Sequence, residues 1–451
     1  MIMGSYRDPS GAIFIKNGKI YRSISKNYSE NYNYFIDSGL YKRLVQEGLL
    51  ISHLEINQVD LEAFKVIKPI QIPFVSYPYE WCFSQLKDAA LTTLKIQKIA
   101  IDYGMCLKDA SAFNIQFYQG KPILIDTLSF EKYQEGQPWI AYRQFCMHFL
   151  SPLLLMLYKN PELNRLLELY IDGIPLNLVS SLLPFRAQMQ PAVFTHIYLH
   201  SKAENYFGSR KTKSTKNILK RSGLIGLIEN LEGLISGLRL KNQQSLWSDY
   251  YQKNNYSKNS MKTKVKIVKE MIKRAKPKTT WDLGSNTGIF SHLASKYSKL
   301  VISMDSDPLA VESNYLYCQK NKLSNCISLV VDITNPTPSI GWNNQERMSL
   351  VDRGPTDLVL ALALIHHLAI SHNISLDMIA DWLKKICKYL IIEFISKNDS
   401  QVQLLLQNRQ DIFYNYNKEN FESSFAKYFT IQKREDIIGS KRCIYLMKNK
   451  Y

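Results

Sequence analysis

Seven cysteines in 451 residues, none of them in a Cys-x-x-Cys pair, supply neither a zinc-ligand spacing nor the dense pattern of a disulfide scaffold. They read as reduced core residues, and no metal centre is expected. Long apolar runs are scarce too. The longest, Met147 to Tyr158, falls short of the roughly 20 residues that cross a bilayer and is broken by Pro152. The first residues lack the charged-then-apolar pattern of a secretory leader, so a cytoplasmic protein with no transmembrane segment is expected. No repeat with a period of about 20 to 50 residues is present, which argues against solenoids and propellers. Acidic residues are outnumbered, with 39 Asp and Glu against 57 Lys and Arg, leaving a formal net charge of +18.

Most of that excess is concentrated. Residues 201 to 280 hold 19 Lys and Arg against 5 Asp and Glu. Such a stretch either attracts nucleic acid, anionic lipid or an acidic substrate, or is a solvated linker. With 45% hydrophobic residues, a chain of this length suits two or three separate cores.

The hydrophobic pattern divides the chain. Residues 11 to 24 alternate around Asn17-Gly18 and predict a hairpin, followed by a helix over about 34 to 48. Strand-like runs at 50 to 55 and 64 to 75 lead to Tyr77-Pro78-Tyr79-Glu80-Trp81, then to a long helix over roughly 83 to 103. A second hairpin pairs Asn114 to Phe117 with Pro122 to Ile125 around Gln119-Gly120. Beyond residue 138 the pattern is helical to about 205, and the polar, basic stretch Ser209 to Ser222 marks the boundary. Leu224, Ile225, Leu227, Ile228, Leu231, Leu234, Ile235 and Leu238 recur at helical spacing and would line one face, which predicts core or interdomain packing, with a membrane-surface helix as the alternative. From Thr279 onward strands and helices alternate, which predicts a mostly parallel sheet with helices on both faces and a closing antiparallel pair near 429 to 433 and 443 to 447.

Within that second half, Trp281-Asp282-Leu-Gly284-Ser285-Asn286-Thr-Gly288 joins a strand to a helix. Glycines there let a ligand approach the backbone, and the helix N-terminus faces it. A second strand ends at Met304-Asp305 and a third at Val331-Asp332. A single acid after a strand is normally a cap or turn residue. Three at successive strand ends converge where an open sheet binds ligands, with Asp305 placed for ribose hydroxyls and Asp332 for an exocyclic adenine amine. The order Asp-x-Gly-x-x-x-Gly differs from the Gly-x-Gly-x-x-Gly of nicotinamide dehydrogenases, which disfavours that class.

These segments, with the strand Asp357-Leu-Val-Leu-Ala-Leu-Ala-Leu, resemble the class I S-adenosylmethionine-dependent methyltransferase superfamily over roughly residues 245 to 449. The resemblance implies that Asp282, Gly284, Ser285, Asn286 and Gly288 surround the methionine part of S-adenosyl-L-methionine, that Asp305 holds the ribose and that Asp332 reads the adenine. Trp247, Tyr250, Tyr251 and Tyr256 are similar to the aromatic segment that covers the cofactor in that superfamily; ordinary aromatic packing is the alternative. Methyl transfer from a sulfonium needs alignment and, where the acceptor carries a proton, a base. His366 and His367 after the fourth strand and Glu393 after the fifth are the candidates, with a helix-start role the alternative for the histidines. The absence of an Asn/Asp-Pro-Pro-Tyr sequence after the fourth strand and of a Pro-Cys nucleophile disfavours DNA adenine and cytosine C5 chemistry. Residues 396 to 427 are expected to shape the substrate side, with Tyr414, Tyr416, Phe421 and Arg442 as contacts or as core.

In the first half, Lys108-Asp109-Ala-Ser-Ala-Phe-Asn114 and Pro122-Ile-Leu-Ile-Asp126 resemble the catalytic-loop Asp, magnesium-binding Asn and second magnesium-binding Asp of protein kinases and aminoglycoside phosphotransferases. The departures are large. No glycine-rich nucleotide loop is present, Thr127-Leu128 follows Asp126 where Phe-Gly is usual, and Arg22 or Lys16 stands where a strand lysine is expected.

The expected organisation is an N-terminal α+β domain over 1 to 205, kinase-like in shape, a basic helical linker over 206 to 244, and a Rossmann-like α/β methyltransferase domain over 245 to 451. The expected activity is S-adenosyl-L-methionine-dependent methylation of an O or N nucleophile on a small molecule, glycan or lipid-linked precursor, with the first domain binding or presenting substrate. An RNA methyltransferase using the basic stretch and a non-catalytic cofactor-binding scaffold are the alternatives.

Overall fold

A computed structural model describes residues 7–56, 62–202, 220–240, 258–407 and 410–450. The chain forms two compact units. Unit one comprises residues 1 to 242 together with Ser339–Arg347; unit two comprises 243 to 338 and 348 to 451.

Unit one opens on strands β1 (Gly11–Lys16) and β2 (Lys19–Ile24), turned by Asn17 and Gly18 with φ of 51° and 69°, the left-handed pair a tight hairpin requires. Strands β3 (His53–Ile56) and β4 (Lys65–Pro69) complete an antiparallel sheet in the order β1-β2-β4-β3. The helix predicted over 34 to 48 is two helices, Ser29–Asp37 and Leu40–Gln46, because Gly39 takes a φ of 83° that no helix interior accepts. The long helix Phe83–Asp102 follows, then β5 (Met105–Leu107), the hairpin β6 (Ile115–Tyr118) and β7 (Lys121–Leu124), and β8 (Phe130–Lys132) paired with β5.

Residues 221 to 237 form a helix whose Leu224, Ile228, Leu231 and Ile235 are buried. It packs along Phe83–Asp102, and Lys98–Glu232 and Arg221–Asp102 ion pairs stitch the two helices together. This part of the basic stretch therefore belongs to the first core. Residues 339 to 347 join unit one too: Arg7 donates to Glu346 at 3.0 to 3.2 Å, and the Arg347 guanidinium lies 4.6 Å from the Phe113 ring centroid.

Unit two is built on a seven-stranded sheet. Its strands are β9 (Thr279–Leu283), β10 (Leu300–Asp305), β11 (Cys326–Val330), β12 (Thr356–Ala361), β13 (Cys387–Ile395), β14 (Phe429–Asp436) and β15 (Arg442–Asn449), in the order β11-β10-β9-β12-β13-β15-β14. The first five in that order run parallel, and β15 pairs antiparallel with both β13 and β14. The helix Lys258–Ala275 buries Ile267, Val268, Met271 and Ile272 in a core shared with Val301, Leu358, Leu360 and Ile391. Central strands enclosed in this way read as near-continuous apolar runs, which is why β10 and β12 were legible. The chain leaves β9 for β10 and β11 on one side and returns to β12 on the other. The crevice above β9 and β12 is therefore the switch point of the sheet.

Candidate functional site

At that switch point a cavity of about 300 Å³ opens within unit two, lined on one side by Asp282, Gly284, Ser285 and Asn286 and on the other by Leu362, Ala363, Leu364 and His367. The turn after β9 owes its shape to three left-handed residues: Gly284 at φ 67°, Asn286 at 50° and Gly288 at 84°. Glycine and asparagine take this region at little cost. Side-chain space is absent as well. A Cβ on Gly288 would stand 2.4 Å from Asn314 Oδ1, and one on Gly284 would stand 3.1 Å from Leu364 Cδ1.

The three acids come together as the strand ends suggested, and each faces the cavity. Asp282 is 2% exposed and accepts a 2.6 Å hydrogen bond from Ser291 Oγ. Burial pushes its carboxyl up to about 7, opposed by the Ser291 hydroxyl. Asp305 accepts the Asn286 N–H at 2.7 Å and the Asp307 N–H at 2.9 Å, so it braces the glycine turn from the neighbouring strand. The protein crowded around it raises its carboxyl to about 6 in spite of those donors. Asp332 accepts the Thr334 N–H and hydroxyl at 2.8 and 2.7 Å, a local turn that fixes its carboxylate at the cavity wall. Asp307, two residues beyond Asp305, caps the helix Pro308–Lys320.

These contacts test whether a nucleoside cofactor with an amino-acid tail fits. The Ser285 hydroxyl lines the cavity, is buried and has no protein partner. Buried polar atoms in native proteins rarely go without a partner. An orphaned hydroxyl, a turn with no room for side chains and acids at three adjacent strand ends fit a hydroxyl- and amine-bearing ligand. Behind the acids, Ser291, Ser303, Asn314 and His292 form a buried polar chain with links of 2.7 to 2.8 Å, which holds the first turn of Ile289–Ala294 against β10.

No protein-family model matches the chain. Nodulation protein NoeA of Rhizobium meliloti (strain 1021) is 35% identical over 460 residues, in an alignment covering 98% of this chain and 95% of that protein. The chain belongs to the NoeA family.

Solved structures similar to it include the N-methyltransferase NodS from Bradyrhizobium japonicum WM9 in complex with S-adenosyl-l-homocysteine, 13% identical, covering 45% of this chain and 93% of that one with a TM-score of 0.34. Magnesium protoporphyrin IX methyltransferase (ChlM) from Synechocystis PCC 6803 with bound SAH is 15% identical, covering 45% and 92%, with a TM-score of 0.33. The bifunctional kinase-methyltransferase WbdD is 17% identical, covering 49% of this chain and 46% of its own length, with a TM-score of 0.31. The chain thus spans about half the length of WbdD. The strand pairing of unit two, five parallel strands closed by an antiparallel pair, is the class I methyltransferase fold.

In this member of the NoeA family the other sequence-identified residues fall into distinct places. His367 and His372 line the cavity, whereas His366 is 1% exposed and packed behind them, its ring 4.1 Å from that of His367. Burial lowers His367 to about 4 and holds His366 well below the ordinary histidine value, so both rings are neutral near pH 7. Glu393 is fully buried in β13 and does not line the cavity. Its Oε2 accepts from Lys264 Nζ at 2.7 Å and from the Ala363 N–H at 2.8 Å. Tyr416 and Phe421 are core, Tyr414 is 79% exposed, and Arg442 makes a two-bond pair with Asp399 at 2.7 and 3.0 Å. Trp247, Tyr250, Tyr251 and Tyr256 lie outside the described residues. Lys264 was not foreseen. It lines the cavity from the helix Lys258–Ala275, where sequence shows only one more lysine in a basic run.

In unit one, Asp126 pairs with Arg22, which also binds Asp8 at 2.9 Å, and Asp126 accepts the Leu128 N–H at 2.8 Å. Asp109 accepts the Ser111 N–H at 2.9 Å, and Asn114 donates to Ser129 Oγ at 3.4 Å. Each of the three residues is engaged by the protein itself. Among the described residues no cluster of three or more His, Cys, Asp or Glu is placed to hold a metal ion, and no helix is long and apolar enough to cross a membrane.

Proposed function

We propose that unit two is an S-adenosyl-L-methionine-dependent methyltransferase acting on an O or N nucleophile of a small molecule, a glycan or a lipid-linked precursor, and that unit one binds or presents that substrate. The observation that carries this reading is the single cavity in which Asp282, Asp305 and Asp332 meet around the glycine turn. When bound, the cofactor supplies an activated methyl group on a sulfonium. The chain's own residues do the rest. Asp305, fixed by two backbone donors, keeps lone pairs for ribose hydroxyls, Asp332 stands for the adenine amine, and Asp282 and the Ser285 hydroxyl face the amino-acid end. The apolar wall of Leu362, Leu364 and Leu368 excludes water from the reacting centre. His367, neutral and on the cavity wall, is the group in position to accept an acceptor proton.

Incubating cell extracts with the purified chain and methyl-labelled cofactor tests the proposal. Label in a small-molecule, glycan or lipid fraction, lost with Asp305→Ala, is the expected result. Label confined to RNA would move the acceptor to nucleic acid, the reading that the basic stretch of residues 201 to 280 favours. Cofactor binding with no labelled product in any fraction would reduce unit two to a binding module.

A further inference from the structure

Glu393 sits in a set of buried charges next to the cofactor acids and the histidines, with Lys264 close enough to act on Asp282. Lys264 is 4% exposed and Arg442 3%, and both approach Glu393, Lys264 at 2.7 Å and Arg442 at 3.8 Å. Arg442 is in turn held by Asp399. Two cations and two carboxylates thus balance among side chains that are at most 10% exposed. An arrangement of this kind is expensive to desolvate and is not needed to close a sheet that apolar residues already close.

What the carboxylate holds is a strained backbone. Ala363 lies two residues beyond the end of β12 and has a φ of 52°, a left-handed conformation that costs an alanine of order 1 kcal/mol. Its N–H donates to Glu393 Oε2 at 2.8 Å. The six residues from Leu362 to His367 contribute Leu362, Ala363, Leu364 and His367 to the cavity wall, and Leu364 is the residue against which Gly284 packs. The strained residue is therefore the point where the wall opposite the acids turns into place.

Resting on the methyltransferase reading of the cavity, we infer that Glu393 is a positioning residue: held by Lys264 and Arg442, its carboxylate clamps the left-handed turn at Ala363 and so sets the wall formed by Leu364 and His367 against the cofactor. In this role it does not take the acceptor's proton; its Oε2 is committed to Lys264 and Ala363, its Oε1 faces Arg442 at 3.8 Å, and it does not line the cavity.

The test is a double-mutant cycle read by calorimetric binding of S-adenosylhomocysteine to the full chain. Glu393→Asp keeps the charge and withdraws the oxygen by one methylene, and Ala363→Gly makes the left-handed turn free of strain. Glu393→Asp alone is expected to weaken binding roughly tenfold, the equivalent of an unclamped left-handed alanine. Ala363→Gly supplies the reference background, its own affinity being measured in the same titration, and in that background Glu393→Asp is expected to lose most of its effect. Equal losses in both backgrounds would overturn the clamp and leave Glu393 a structural counter-ion. Should Glu393→Asp not fold, Glu393→Gln, which keeps the side-chain length, is carried through the same cycle with the same two outcomes. Failure of the unaltered chain to bind S-adenosylhomocysteine would instead overturn the methyltransferase reading, a result distinct from either outcome of the cycle.

Discussion

Both units place acids at strand and hairpin ends; those of unit two line a cavity, and those of unit one are bound by neighbouring protein groups. In unit one Asp126 is neutralised by Arg22, Asp109 accepts the Ser111 N–H, and Asn114 reaches Ser129. In unit two Asp282, Asp305 and Asp332 also have local partners, but all three line open space beside an orphaned Ser285 hydroxyl. The difference teaches that an acid's position after a strand does not distinguish a site from a turn. The distinguishing property is hydrogen-bonding capacity left over, facing a volume that a ligand can fill.

That contrast can be broken by substitution. The largest effect is expected from Asp305→Ala, which removes a charged acceptor of ligand hydroxyls and the brace on Asn286; such hydrogen bonds are worth about 1.5 to 3 kcal/mol, a ten- to hundredfold loss of S-adenosylhomocysteine affinity by calorimetry. Arg22→Ala should do the reverse. Leaving Asp126 and Asp8 without their shared cation is expected to cost about 3 kcal/mol of stability in denaturant melts and to leave cofactor affinity unchanged. Asp109→Ala, the loss of one local acceptor, is expected to cost about 1 kcal/mol in the same melts.

The pH dependence sharpens the comparison further. Asp282 and Asp305 titrate at about 7 and about 6 in the folded chain against an ordinary 3.8. Between pH 4 and 7 the folded state therefore keeps protons that the unfolded chain has released, so this contribution to stability falls as pH rises. Ligand binding runs the other way, because ionised carboxylates are the better acceptors. Affinity for S-adenosylhomocysteine is expected to rise from pH 5 to 8 with proton release measurable in buffers of different ionisation heat, and Asp282→Asn should flatten both trends. Affinity that is flat across this range in the unaltered chain would show that neither acid meets the ligand.

How much of this was legible depends on range along the chain. The hairpins at Asn17-Gly18 and Gln119-Gly120 and the strands that carry Asp282 and Asp305 declare themselves within a few residues, since turn chemistry and apolar runs are local. The glycine turn was readable for the same reason. The split at Gly39 was hidden because the apolar spacing continues across it while one backbone angle does not. The clamp was out of reach altogether. Lys264 and Glu393 are 129 residues apart, and nothing in a lysine-rich run marks the one lysine that turns inward. Glu393 was readable as a strand-end acid, but its burial and its bond to Ala363 follow from packing of β13 beside β12. In unit one Asp109, Asn114 and Asp126 stand out by their spacing, but their protein partners do not, since Arg22 and Asp126 are 104 residues apart.

The central claim is that the acids of unit two hold a nucleoside cofactor. Calorimetric titration of S-adenosylhomocysteine into the full chain and into Asp305→Ala, near pH 7.5, tests it most directly. One site per chain, weakened at least roughly tenfold by the substitution, is the predicted result. Saturable binding that is indifferent to Asp305→Ala, or no binding at millimolar ligand, would contradict it.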